Sequence, residues 1–125
     1  MKAVSTDQAP AAIGPYSQAV RTGNLLFCSG QIPIDPSSGV VVGTDVAAQT
    51  EQVMKNLAAV LAHVDADFSK VLSSTIYLTD LASFEKVNAI YEKWLKGVKP
   101  ARATIQVAGL PRGSLVEISM IASVA

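Results

Sequence analysis

Between Thr44 and Val64 the residues Val46, Thr50, Val53, Leu57, Val60, Leu61 and Val64 recur every three or four positions, which places them on one face of an amphipathic helix. Thr44 is read as its N-cap. Ahead of this helix the period shortens. AVRTGNLLFCSG reads as two short strands around Thr22-Gly23-Asn24, where Gly and Asn suit a tight hairpin. Turn residues in IDPSSGVVVG lead into a third short apolar strand at 40–42. After the helix, KVLSSTIYLT alternates as a strand, with Leu72, Ser74, Ile76 and Leu78 on one face and Val71, Ser73, Thr75 and Tyr77 on the other. Asp80 is read as the cap of a second helix with a core stripe of Phe84, Val87, Tyr91, Trp94 and Leu95, stopped at Gly97. Two closing strands, at 103–107 and 115–124, flank a Gly- and Pro-containing turn.

This order of elements predicts an α+β fold, a mixed β-sheet with two helices packed on one face. The other face carries Ser73, Thr75 and Tyr77 rather than charges, so packing against further copies of the chain would cover it at modest desolvation cost. No internal repeat, low-complexity run or linker divides the chain, and residues 1–125 are expected to form a single domain.

Composition sharpens the picture in two places. Half of the residues are hydrophobic and only 16% are charged, with a mean hydropathy of +0.35. That apolar balance adds to the expectation of self-association. Ten basic residues against ten acidic ones give a net charge of zero. A general nucleic-acid binder would need a basic face, so no nucleic acid is expected as a partner. No membrane partner is expected either, because the apolar runs are too short to cross a bilayer and the N-terminus lacks a charged segment followed by an apolar one. The chain is read as soluble and cytoplasmic. Cys28 is the lone cysteine and His63 the lone histidine, which leaves no internal disulfide and no ordinary zinc site. They make a poor thiol dyad, since one lies in an apolar strand and the other near a helix end.

One acid and one base stand apart from the solvated charges. In PARATIQVAGLP, Arg102, Thr104 and Gln106 share one strand face; in VEISMIA, Glu117 and Ser119 share another. If the two closing strands pair across the GLPRG connection, Arg102 and Glu117 become near-diagonal neighbours. The pattern leaves two readings open: a structural ion pair, or a site in which Arg102 grips a carboxylate through two parallel hydrogen bonds while Glu117 handles a water or a proton.

GPYSQAV at 14–20, FCSGQIPID at 27–35, DVAAQTEQVMKNL at 45–57, YLTDLASFEKVN at 77–88, PARATIQVAGLP at 100–111 and VEISMIA at 116–122 together resemble the Rid family, also called YjgF-type proteins. The likeness spans almost the whole chain. With Arg102 and Glu117 both present, the nearest similarity is to the deaminase branch, which acts on 2-iminobutanoate and 2-iminopropanoate. The resemblance implies a chorismate-mutase-like fold, a homotrimer with sites in clefts between subunits, and no cofactor. It assigns Arg102 to the substrate carboxylate and Glu117 to the attacking water. Tyr16, Ser29, Asn88 and Thr104 match pocket positions, and Gly30 matches one whose backbone N–H helps hold the carboxylate. The chain departs from the common pattern at Val64-Asp65, at Lys99 and at Thr104, where some members have Cys. These departures bear on pocket shape and substrate range.

The implied chemistry is hydrolysis of reactive 2-imino acids to 2-keto acids and ammonia, with those small molecules as partners. Two other functions remain open to the sequence. One is a regulatory trimer that binds small carboxylates without turnover; the other is ribonuclease or translation-inhibitor activity, which neutral charge and few aromatics disfavour. Ser29 is no hydrolase nucleophile, because no G-x-S-x-G elbow surrounds it. Without the resemblance, Tyr16 reads equally as packing behind the Gly-Pro turn, and Asn88 as a solvent-facing position off the core stripe.

Overall fold

The computed structural model describes residues 1–125 as one six-stranded sheet with two helices on one face. The strands are β1 (Lys2–Val4), β2 (Ala19–Thr22), β3 (Leu25–Gln31), β4 (Val71–Leu78), β5 (Ala101–Gln106) and β6 (Val116–Ser123), and the helices are α1 (Val46–His63) and α2 (Phe84–Leu95). The spatial order is β1-β2-β3-β6-β4-β5. All neighbours run antiparallel except β4 and β5, which run parallel with α2 as their crossover. A helical crossover is what two parallel strands require.

The helices arise where the periodicity places them. Val53, Leu57, Val60 and Leu61 of α1 are fully buried, and so are Ile76 and Leu78 of β4 and Val116 and Ile118 of β6. The N-cap of α1 is Asp45 rather than Thr44: its carboxylate accepts from Ala48 N at 2.9 Å. Asp80 caps a short 3₁₀ turn, Leu81–Ser83, that runs directly into α2. The second helix stops at Lys96 in the left-handed region, one residue before the expected stop at Gly97, which follows with φ +89°. Trp94 is only partly buried; its indole N–H donates to Glu51 at 2.9 Å, and it meets Phe68 edge-on.

Three expectations about strands change. The segment at 40–42 forms a single bridge, Ile34 to Val41, instead of a strand. The third strand ahead of α1 is instead β1, three residues long, at the start of the chain. In β4 an irregularity between Val71 and Ser73 turns Val71 into the core and leaves Leu72 outside, 48% exposed. The closing strands do not pair with each other. β6 inserts between β3 and β4, and β5 lies at the far edge of the sheet.

Candidate active site

That last difference decides where the two candidate catalytic residues stand. Arg102 is in register with Ser74 of β4, and Ser74 with Met120 of β6; Glu117 is in register with Tyr77, and Tyr77 with Ile105 of β5. Residues in register across a sheet point to the same side, and successive residues alternate. Arg102 therefore projects on the helix-covered side with buried Ser74 and Met120, and Glu117 on the open side with Tyr77 and Ile105. Two strand spacings and three residues of rise set their backbones about 14 Å apart. They are not diagonal neighbours, and the structural ion pair is ruled out with them. The one ion pair in the chain joins Lys93 to Glu51.

Each residue sits in its own cavity. On the open side a cavity of ≈ 600 Å³ is lined by Tyr16, Ser29, Gly30, Glu117 and Arg112, among others. A bulge in β3 shapes it: between Cys28, opposite Met120, and Gln31, opposite Ile118, three steps of β3 face two of β6. The extra residue lifts Ser29-Gly30 out of the ladder. Gly30 then lies against Glu117 so closely that a Cβ there would fall 2.8 Å from Glu117 Cδ and 3.0 Å from Cγ. Only glycine leaves the carboxyl room. Half-buried Glu117 accepts no charged partner, and desolvation pushes its pKa above the ordinary value. Ser29 donates its hydroxyl to Ser17 O at 2.5 Å, which ties β3 to the loop bearing Tyr16.

Buried amides hold the cavity wall. Gln18 accepts from Thr6 N at 2.7 Å and donates to Thr6 O, Ala9 O and Pro10 O, fixing the segment that runs into Ile13 and Tyr16. Asn56 of α1, 1% exposed, donates to Ile32 O at 3.2 Å and Ile34 O at 3.0 Å. Gln49, two turns earlier on nearly the same face, accepts from Leu115 N at 2.8 Å at the entry to β6. These three amides were missed by sequence reasoning. The signal was present, since Gln49 and Asn56 interrupt the apolar stripe of α1 on its core side.

On the helix-covered side a second cavity, ≈ 430 Å³, is lined by Asn88, Tyr91, Lys99 and Arg102, among others. Asn88 Oδ1 accepts from Arg102 Nη1 at 2.6 Å, so Asn88 is a positioning partner rather than a solvent-facing residue. The guanidinium carbon lies 5.3 Å from the ring centres of both Phe84 and Tyr91. Two aromatic faces and one amide thus hold the guanidinium in place while no carboxylate neutralises it. Tyr91 in turn donates to Ser74 Oγ at 2.8 Å; burial pushes its phenol pKa up, partly offset by that hydrogen bond and by Arg102. Thr104, two residues along β5, carries a buried hydroxyl without any partner. It lines neither of the two cavities.

Cys28 and His63 lie apart from both cavities. Burial pushes the Cys28 thiol up to about 12, and His63 lines a cleft beside Lys2 and Arg21 at the other end of α1. No group of three or more His, Cys, Asp or Glu side chains gathers anywhere in the chain. No helix is long and apolar enough to cross a membrane.

The family model described as Endoribonuclease L-PSP matches residues 6–124. The chain belongs to this family, the Rid (YjgF) family. Among its relatives, protein DfrA of Myxococcus xanthus is 57% identical, over 97% of this chain and 94% of that one. The 2-iminobutanoate/2-iminopropanoate deaminase of Mus musculus is 49% identical, over 97% of this chain and 90% of its own. The solved structure of YyfA from Yersinia pestis, a Rid-family protein, superposes with a TM-score of 0.96 at 45% identity, covering 98% of each chain. The Rid-family likeness thus extends to the two helices on a mixed sheet, while the β3 bulge and the split of Arg102 and Glu117 between two faces are read from this chain's own register.

Proposed function

We propose that the chain hydrolyses 2-imino acids to 2-keto acids and ammonia, as a homotrimer in which the Arg102 half-site of one subunit closes on the Glu117 half-site of the next. One observation carries this reading: an uncompensated guanidinium held by Asn88 and two rings, and a half-buried, partnerless carboxyl, stand on different faces of one sheet, each with an open cavity. Neither is a complete site alone. Phe27 and Ile105, 42% and 43% exposed on the open side, give that face the apolar character of an interface core. The relatives named as 2-imino acid deaminases support the substrate class.

In the closed cleft Arg102 grips the substrate carboxylate with its planar fork, held by Asn88 and the two rings. The Gly30 N–H and Tyr16 border the Glu117 side of the same space. Glu117 takes a proton from water as its oxygen adds to the imine carbon, and passes that proton to nitrogen; the proton of the new hydroxyl then follows to nitrogen, and the C–N bond breaks to release ammonia as the C=O forms. Water and substrate suffice for that balance, so the reaction as proposed uses no cofactor and no nucleic acid.

The test generates 2-iminobutanoate with a threonine dehydratase and follows 2-ketobutyrate release. Acceleration by wild type but not by Glu117→Ala is the expected result, and no acceleration by wild type removes the reading. Retained binding of 2-ketobutyrate without any turnover would instead assign a carboxylate-binding regulator.

A further inference from the structure

Arg112 has no role in the chemistry above, yet it lines the same cavity as Glu117. These two are the only acidic or basic residues on that wall, which is otherwise largely apolar, with Ile13, Ile32, Ile34 and Pro111. Both point into one space without forming an ion pair. Burial raises the Glu117 carboxyl above its ordinary value, and the chain's one ion pair lies elsewhere, between Lys93 and Glu51. The cavity therefore has an acid at one place and a separate, uncompensated cation at another.

The backbone at Arg112 is unusual. Its φ and ψ are +59° and +26°, a left-handed conformation that non-glycine residues rarely adopt, and Gly113 follows with φ +68°. The guanidinium spends one N–H on Gly39 O at 3.1 Å, which ties the turn to the loop before α1. Its other N–H groups meet no protein acceptor. A planar, pre-oriented fork with free donors at the edge of an apolar cavity suits a carboxylate.

The volume agrees. At ≈ 600 Å³ the cavity is in the range that holds drug-sized ligands. That is the open half-site of one chain, and a four-carbon 2-imino acid is small beside it. We propose that Arg112 reads a second carboxylate at the far end of the substrate, so that the site accepts 2-imino dicarboxylates alongside short 2-imino acids. This rests on the deaminase reading for its turnover but not for its binding geometry.

The test compares 2-iminoglutarate, made in place from glutamate by an amino-acid oxidase, with 2-iminobutanoate, for wild type, Arg112→Gln and Arg112→Lys. Glutamine keeps a donor for Gly39 O and removes the charge; lysine keeps the charge and loses the fork. The expected result is that wild type hydrolyses both imines. Arg112→Gln then loses at least tenfold more kcat/KM on the dicarboxylate than on the short imine, and Arg112→Lys recovers part of that difference. Equal losses on both substrates would make Arg112 a loop clamp only and overturn the proposal, as would a wild type inactive on 2-iminoglutarate but active on 2-iminobutanoate. If wild type turns over neither imine, the deaminase reading fails and calorimetry with the keto acids decides. A preference for 2-oxoglutarate over 2-oxobutanoate that vanishes in Arg112→Gln upholds the second-carboxylate site, and equal affinities overturn it.

Discussion

Arg102 and Glu117 belong to opposite faces of the same sheet, because β6 slots between β3 and β4 and leaves β5 beyond β4. No side-chain rotation brings them to one substrate within a chain. A shared site between subunits makes a sharp prediction. In the proposed homotrimer, Arg102→Ala and Glu117→Ala are each strongly impaired, but mixing the two subunits equally restores about one quarter of wild-type activity, since that fraction of neighbouring pairs joins an intact Arg102 to an intact Glu117. Co-expression with two affinity tags measures it. Activity no higher than in the parent variants would mean the two residues never share a cleft.

Arg102→Ala should lower kcat/KM by about tenfold to a hundredfold or more, as expected when a desolvated, charge-paired anchor is lost at a cost of about 2–5 kcal/mol. Arg102→Lys should recover only part of this. An ammonium does not reproduce the fork, nor does it stack between Phe84 and Tyr91 as a planar group does. Asn88→Ala should act in the same direction with a smaller effect, mainly on KM, by loosening the guanidinium it now fixes. Steady-state kinetics on 2-iminobutanoate separate the three.

The raised pKa of Glu117 carries two linked pH effects. As a base the carboxylate works only when deprotonated, so kcat/KM should rise with pH through an acidic limb that lies above the ordinary value of 4.5 and is lost in Glu117→Gln. For stability the sign runs the other way. A carboxyl whose folded pKa exceeds its unfolded one favours the fold fully below the unfolded pKa, and that contribution disappears as pH rises through the folded pKa. Glu117→Gln should therefore melt slightly higher than wild type at neutral pH, by less than about 1 kcal/mol for a half-exposed group, with the advantage gone in acid. Thermal melts across pH check this.

Most of the fold was legible because it rests on periodicity. The stripe of α1 and the alternation of β4 follow directly from where Val53, Leu57, Ile76 and Leu78 must be buried. Strand order was not legible, since alternation tells which face a residue takes within its own strand but not which strand lies beside it. That is why Arg102 and Glu117 were expected to be neighbours. The bulge at Ser29-Gly30 and the left-handed turn at Arg112 were also hidden, because the sequence marks glycines without saying which of them bend a ladder. The resemblance pointed to Asn88 and Thr104, whereas their contact with Arg102 and their lack of a partner, respectively, emerge only in three dimensions.

Gly30→Ala tests how far the bulge serves chemistry rather than folding. The added Cβ would overlap the Glu117 carboxyl, so the side chain must rotate away from the cavity or the bulge must shift. Rotation costs little, since the carboxyl has no partner to lose, and the fold should survive with a near-normal melt. Turnover should drop at least tenfold, because the base leaves the place from which it meets water. Kinetics and circular dichroism on the same sample distinguish this from simple unfolding.

Asn56→Ala tests the wall instead of the base. Its amide serves two carbonyls, Ile32 O and Ile34 O, that the loop before α1 buries against the helix. Removing it takes the partner from both carbonyls, at a cost of about 1–3 kcal/mol. The same loss frees the Ile32–Ile34 segment, so substrates that reach toward Arg112 should suffer more in KM than short ones do. A denaturant melt gives the stability term, and the two imines used for Arg112 give the other. Equal KM changes for both substrates would show that Asn56 braces the fold without shaping the cavity's far end.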